Sequence, residues 1–214
     1  MTMKEPNRRH MLTIVRSWET RRVDWRTRVV APAAASAMVH GTVLVGIALT
    51  WIWLRRLPLE MGTPLRDSLI AIGAAAAIAA INYVIIRMGR PIWPARALRT
   101  HYCEVLRPRF GSLRPLDIVI IAISVGCGEE LLFRGAMQPE FGLVPTAIIF
   151  GALHSTRKGT PAYGVWAAFM GVGLGWLAQA TAGLIAPIVG HVVYDAAALA
   201  YVRLSGEQSS GPRR

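Results

Sequence analysis

Six apolar stretches separated by clusters of arginine constrain this chain more than any other feature. A helix rises 1.5 Å per residue and needs roughly 20 apolar residues to cross a bilayer, so the stretches predict an all-α, polytopic membrane bundle with about six transmembrane helices. They run from about Val29 to Leu54, Ser68 to Met88, Leu116 to Met137, Pro145 to Ser155, Pro161 to Ala180 and Leu184 to Leu204. The fourth is short for an unaided crossing and is expected to be buried among its neighbours. With 53% hydrophobic and 17% charged residues, the chain is too apolar for an ordinary soluble domain of 214 residues.

The net charge of +12 would suit nucleic acid if it formed one basic face. Instead the 24 basic residues cluster between apolar runs, so no nucleic-acid partner is expected. With the N-terminus inside, 20 of the 24 fall on the cytoplasmic side, Arg55, Arg56 and Arg66 fall outside, and Arg134 lies within a span. The positive-inside rule thus predicts both termini in the cytoplasm. No short apolar run ending in a small-residue cleavage site precedes the first span, which is expected to direct its own insertion.

Four regions follow. Residues 1–28 place Leu12, Val15, Trp18 and Trp25 among arginines, which predicts a basic amphipathic cytoplasmic segment in contact with anionic lipid. Residues 29–115 hold two spans and a cytoplasmic connector with an interfacial helix of its own, 116–204 hold the residues suited to catalysis, and 205–214 read as a disordered tail. Small residues from Gly73 to Ala80, and Gly171, Gly173 and Gly175, predict close helix contacts. Pro187 predicts a kink that frees a carbonyl near His191. Cys103 and Cys127 are expected to be thiols, with packing favoured over a nucleophilic role for Cys127.

Ionisable side chains inside spans are costly, about 2.5 to 3.5 kcal/mol each by insertion scales, so they mark a buried or hydrated site. Here they are Glu129, Glu130 and Arg134 in the third span, His154 in the fourth, and His191 with Asp195 in the sixth. Glu130 and Arg134, four apart, share a helix face and predict an ion pair. Glu129 points about 100° away, which leaves it free for general-base work. His191 and Asp195 are also four apart on one face, and His40 in the first span reads as a hydrogen-bonded packing residue. From the outer helix ends, Glu129, His154 and His191 lie at similar depths of roughly 12, 15 and 10 Å, in the outer half of the membrane.

In this order and spacing the motifs resemble those of the CAAX-endopeptidase and bacteriocin-processing superfamily of intramembrane proteases. Glu129, Glu130, Arg134 and Gly135 match its first motif, Phe150 with His154 its second, and His191 with Asp195 its third. The resemblance covers about Asp117 to Tyr201 and implies a multi-pass protein of a bacterial or archaeal cell membrane. It implies that Glu129 and His154 activate water, and that His191 with Asp195 polarises the scissile carbonyl or stabilises the oxyanion, without a cofactor. Glu130, Arg134 and Phe150 would support the site. Asp195 stands where prenyl-protein proteases of the family have asparagine, and a carboxylate donates only when protonated, so Asp195 is open to orienting His191 instead. The implied partner is a membrane-anchored or exported protein or peptide. Two alternatives remain: a metalloprotease with zinc or another divalent cation on Glu129, His154 and His191, and a non-enzymatic immunity or proton-relay protein using the same residues.

Overall fold

A computed structural model describes residues 30–88, 93–155 and 161–207. The chain divides into two units, Met1–Ala31 and Pro32–Arg214, and every element named below belongs to the second. The basic segment 1–28 lies outside the described residues, as do residues 208–214.

Among the described residues the protein is helical and without strands. Helices α1 (Pro32–Arg55), α2 (Pro64–Met88), α8 (Pro161–Thr181) and α9 (Ile185–Glu207) are each long and apolar enough to cross a membrane. That is four of the expected six. The fourth stretch is α7 (Leu143–His154), apolar but only 12 residues long. The third is a run of three pieces: α5 (Pro115–Glu130), a π-helical segment π2 (Leu131–Met137) and α6 (Gln138–Phe141). The connector forms α3 (Trp93–His101), π1 (Tyr102–Leu106) and α4 (Arg107–Phe110).

The two π segments share a local cause. A proline inside a helix lacks an N–H and its ring clashes with the carbonyl four residues back. Pro108 and Pro139 each stand two residues after a π segment, and in each case the residue before the proline donates to the carbonyl five residues back: Arg107 to Tyr102 and Gln138 to Phe133. Widening the turn relieves the clash, and π turns of this kind are frequent at functional sites. Pro187, by contrast, sits in the first turn of α9, where its missing N–H had no intrahelical partner to lose. The expected kink is therefore replaced by a continuous helix from Ile185 to Glu207.

Helix α9 is central, packing against α2, α5 and α8, while α7 packs on α8 and α1 packs on α5 and π2. Small residues set these contacts, though not all of the expected ones. On α2 only Ala71 and Ala75 of the small positions are buried, and a Cβ at Gly73 would meet open space. On α8, Gly171 faces Ala147 and Phe150 while Gly173 faces outward. At the α1–α5 crossing a Cβ on Gly128 would lie 2.9 Å from both the Cα and the carbonyl oxygen of Gly41, so the two glycines allow backbone contact.

The loop after α1 is stitched to the α8–α9 turn, with Leu184 N–H donating to the Glu60 carbonyl (3.1 Å) and Ile185 N–H to the Met61 carbonyl (3.0 Å). Asp67, fully buried, accepts from the Thr63 N–H (2.5 Å) and Arg66 Nε (2.8 Å), which closes the start of α2. Arg55 Nε lies 2.6 Å from Glu140 Oε1, which ties α1 to α6 and holds the Glu140 carboxyl below the usual carboxylate range. Gly41→Val is expected to reduce folded yield and melting temperature in detergent, because overpacking a tight contact costs about 1–3 kcal/mol. Gly46→Val, whose Cβ meets open space on the same helix, is the control, and equal melting of the two would refute the account of the crossing.

Candidate functional site

Glu129 and Glu130 end α5, immediately before the π turn. Glu130 is fully buried, and its Oε1 accepts from Arg134 Nη1 at 2.9 Å, the ion pair read from their spacing. The same oxygen lies 2.6 Å from His191 Nδ1 on α9. Arg134 is fixed further by Nη2 donating to the Gly171 carbonyl (3.0 Å) and by its guanidinium carbon standing 4.8 Å above the Phe150 ring. One buried chain of contacts therefore joins α5, π2, α8 and α9.

Glu129, 6% exposed, stands outside that chain. Its Oε2 has no hydrogen-bond partner and lies 3.7 Å from His154 Nε2 and 4.0 Å from His191 Nε2. The three residues placed at similar depth by the helical rise thus converge around one carboxylate oxygen. The imidazoles are oriented from behind: His154 Nδ1 donates to the Phe150 carbonyl (2.8 Å) and His191 Nδ1 to Glu130. With Nδ1 of each ring spent in this way, both Nε2 atoms face the Glu129 carboxylate. The gaps of 3.7 to 4.0 Å exceed a direct hydrogen bond, so the two rings face the carboxylate without bonding it.

Asp195 Oδ2 lies 3.6 Å from His191 Nε2, at the reactive side of the ring. The group that orients His191 through Nδ1 is therefore Glu130, not Asp195, a partnership 61 residues apart in sequence. His40, expected to be a packing residue, is instead half exposed with Nε2 3.8 Å from Glu129 Oε1. The signal was present in the sequence, since His40 is the one ionisable residue between Pro32 and Leu54. Cys103 and Cys127 are free thiols. Among the described residues no group of three or more His, Cys, Asp or Glu has the geometry to hold a metal ion.

A cavity of about 400 Å³ reaches these residues from the connector side. His154, His191 and Asp195 line one part of its wall, and Leu98, His101 and Phe110 of the connector line another. All five tyrosines of the chain, Tyr83, Tyr102, Tyr163, Tyr194 and Tyr201, contribute to it. Asn82 donates to the Tyr194 hydroxyl, and the Tyr102 hydroxyl bonds Ser205, so several ring positions are set by polar contacts. His101 stacks on Tyr163 at 4.1 Å between centroids, and burial pushes its imidazole below the usual range. No spacing rule could have gathered residues from α2, the connector, α8 and α9 in this way.

Removing one partner of a buried ion pair leaves an uncompensated charge, a loss of about 3–5 kcal/mol. Arg134→Met and Glu130→Gln are therefore expected to reduce folded yield in detergent well below that of Glu129→Gln. Equal yields on size-exclusion chromatography would contradict this division between a structural and a free glutamate.

The same segment is recognisable by comparison. Residues 111–197 match the family model described as type II CAAX prenyl endopeptidase Rce1-like. A curated relative, the uncharacterized protein YpbD of Bacillus subtilis (strain 168), is 28% identical over 86 residues, covering 40% of this chain and 46% of that protein. The match thus spans about half the length of the curated relative. No solved structure matches. Residues 111–197 of this multi-pass membrane protein, which hold Glu129, Glu130, Arg134, His154, His191 and Asp195, are thus similar to the Rce1-like CAAX endopeptidase family.

Proposed function

We propose that this protein is an intramembrane endopeptidase that hydrolyses a peptide bond of a membrane-associated or exported protein by glutamate- and histidine-activated water. The observation that carries the reading is the unpartnered Oε2 of Glu129 facing two imidazole Nε2 atoms at 3.7 and 4.0 Å inside a buried site. A water in that space loses a proton to Glu129 as its oxygen attacks the scissile carbonyl carbon. When the tetrahedral intermediate collapses, the C–N bond breaks and Glu129 returns the proton to the leaving amine. His154 helps orient the water through Nε2. His191 has an acid near each ring nitrogen, Glu130 at Nδ1 and Asp195 at Nε2, and so is suited to donate from Nε2 to the developing oxyanion.

The substrate reaches this centre through the tyrosine-lined cavity, from the side of the connector. His191 lies six residues from the start of α9 and 16 from its end, about 9 and 24 Å along the axis, so the scissile bond sits nearer the α8–α9 turn. A cavity that starts at the connector then accommodates the chain on one side of the bond. We place the protein in a bacterial or archaeal cell membrane with both termini cytoplasmic, and assign the reaction no metal. Chelator treatment of the purified enzyme is expected to leave activity unchanged. Activity that vanished and returned only with added zinc would replace this mechanism by the metal-dependent one.

Comparison of membrane-protein termini in wild-type and variant cells tests the function directly. Glu129→Gln and His154→Ala are expected to abolish the same set of new termini and to accumulate the uncleaved proteins. Normal processing of every membrane protein in both variants would remove the endopeptidase reading in favour of a proton-relay or immunity role.

A further inference from the structure

The geometry points to His40 as a further polar side chain of the reaction centre beside Glu129, His154, His191 and Asp195, one that positions Glu129 by holding Oε1 while Oε2 faces the water site. The inference rests on the endopeptidase reading above. His154 and His191 address Oε2, at 3.7 and 4.0 Å, whereas His40 Nε2 stands 3.8 Å from Oε1, on the other arm of the same carboxylate. A glutamate has three side-chain torsions, so a carboxylate that must present one oxygen to water gains from a donor on the other.

The backbone favours this pairing. Gly41, next to His40, and Gly128, next to Glu129, are the residues whose backbones touch at the α1–α5 crossing. The imidazole and the carboxylate are therefore delivered by a point of close backbone approach, and a rotation of either side chain is what would close 3.8 Å to a hydrogen bond. The other charged or titratable groups around Glu129 are His154 from α7, His191 and Asp195 from α9, and Glu130 with Arg134 from its own run. His191 and Asp195 lie on the Oε2 side with each other, and Glu130 is committed to Arg134 and His191. An imidazole placed in an otherwise apolar span is costly, and its half-exposed ring fills no core position that would justify it. Helix α1 also lies outside the matched segment 111–197, so the role belongs to a part of the chain that the family pattern does not reach.

The test uses detergent-solubilised membranes of the Glu129→Gln strain, which hold the uncleaved proteins, as substrate for purified full-length enzyme. His40→Ala is expected to slow the appearance of the new termini about 10-fold or more, at unchanged half-saturating membrane concentration. His40→Gln, whose amide can still donate to Oε1, is expected to stay within about 3-fold of wild type, and added imidazole is expected to restore part of the His40→Ala rate. Rates are normalised to the monodisperse fraction on size-exclusion chromatography. Wild-type rates in His40→Ala, or equal losses in both variants without imidazole rescue, would overturn the role of His40 while leaving the Glu129 mechanism in place. If wild-type enzyme produces no new termini from these membranes, the endopeptidase reading itself fails, and the role of His40 with it.

Discussion

The buried chain Arg134–Glu130–His191 is the interaction on which the remainder of the structure depends. Moving a carboxylate and a guanidinium out of water is repaid only when geometry is good and the remaining donors find partners. Here Arg134 is compensated at Nη1 by Glu130, at Nη2 by the Gly171 carbonyl and by the face of Phe150, while Nε makes no hydrogen bond. Because these partners come from α5, α8 and α7, and Glu130 also meets His191 of α9, neutralising one charge also fixes the relative positions of the helices that carry the site. Glu130 Oε1 is thereby shared by Arg134 and His191, and its neighbour Glu129, which has no such ion pair with arginine, is left as the carboxylate available for chemistry.

The two ends of the bundle are built differently. At the α8–α9 turn, main-chain hydrogen bonds to the loop after α1 hold the start of α9, and with it His191, in place, while the buried Asp67 closes the start of α2. At the connector end the contacts are aromatic rings and isolated polar bonds around a cavity. An orienting shell behind the imidazoles and a roomier wall in front of them suit the proposed hydrolysis, which calls for pre-placed reacting groups and room for a substrate to enter.

Much of the site was legible because it depends on local periodicity. The i, i+4 relation of Glu130 and Arg134 announced their pair, and the same geometry set Glu129 apart. Length and helical rise placed Glu129, His154 and His191 at comparable depth before any contact was known. The π turns were also readable in principle, since Pro108 and Pro139 mark where an α turn would clash with its own carbonyl. Other features cannot be read without their partner. Asp195 is the sequence neighbour of His191, yet Glu130 is what holds its Nδ1, and His40 reads as packing until the crossing of α1 and α5 turns it toward Glu129.

The sequence by itself determined an all-helical membrane protein, the approximate limits of its spans, the ion pair within the third of them and the residues able to carry chemistry. These follow from hydropathy and from relations within one or two helical turns, which the covalent chain sets regardless of its neighbours. Only the tertiary structure decided which nitrogen of each histidine is occupied, that Glu130 orients His191, that His40 reaches the site, and that five tyrosines from distant segments surround one cavity. Those outcomes depend on how helices cross and how closely their backbones approach. That is settled by glycine contacts and buried polar pairing between residues far apart in the chain.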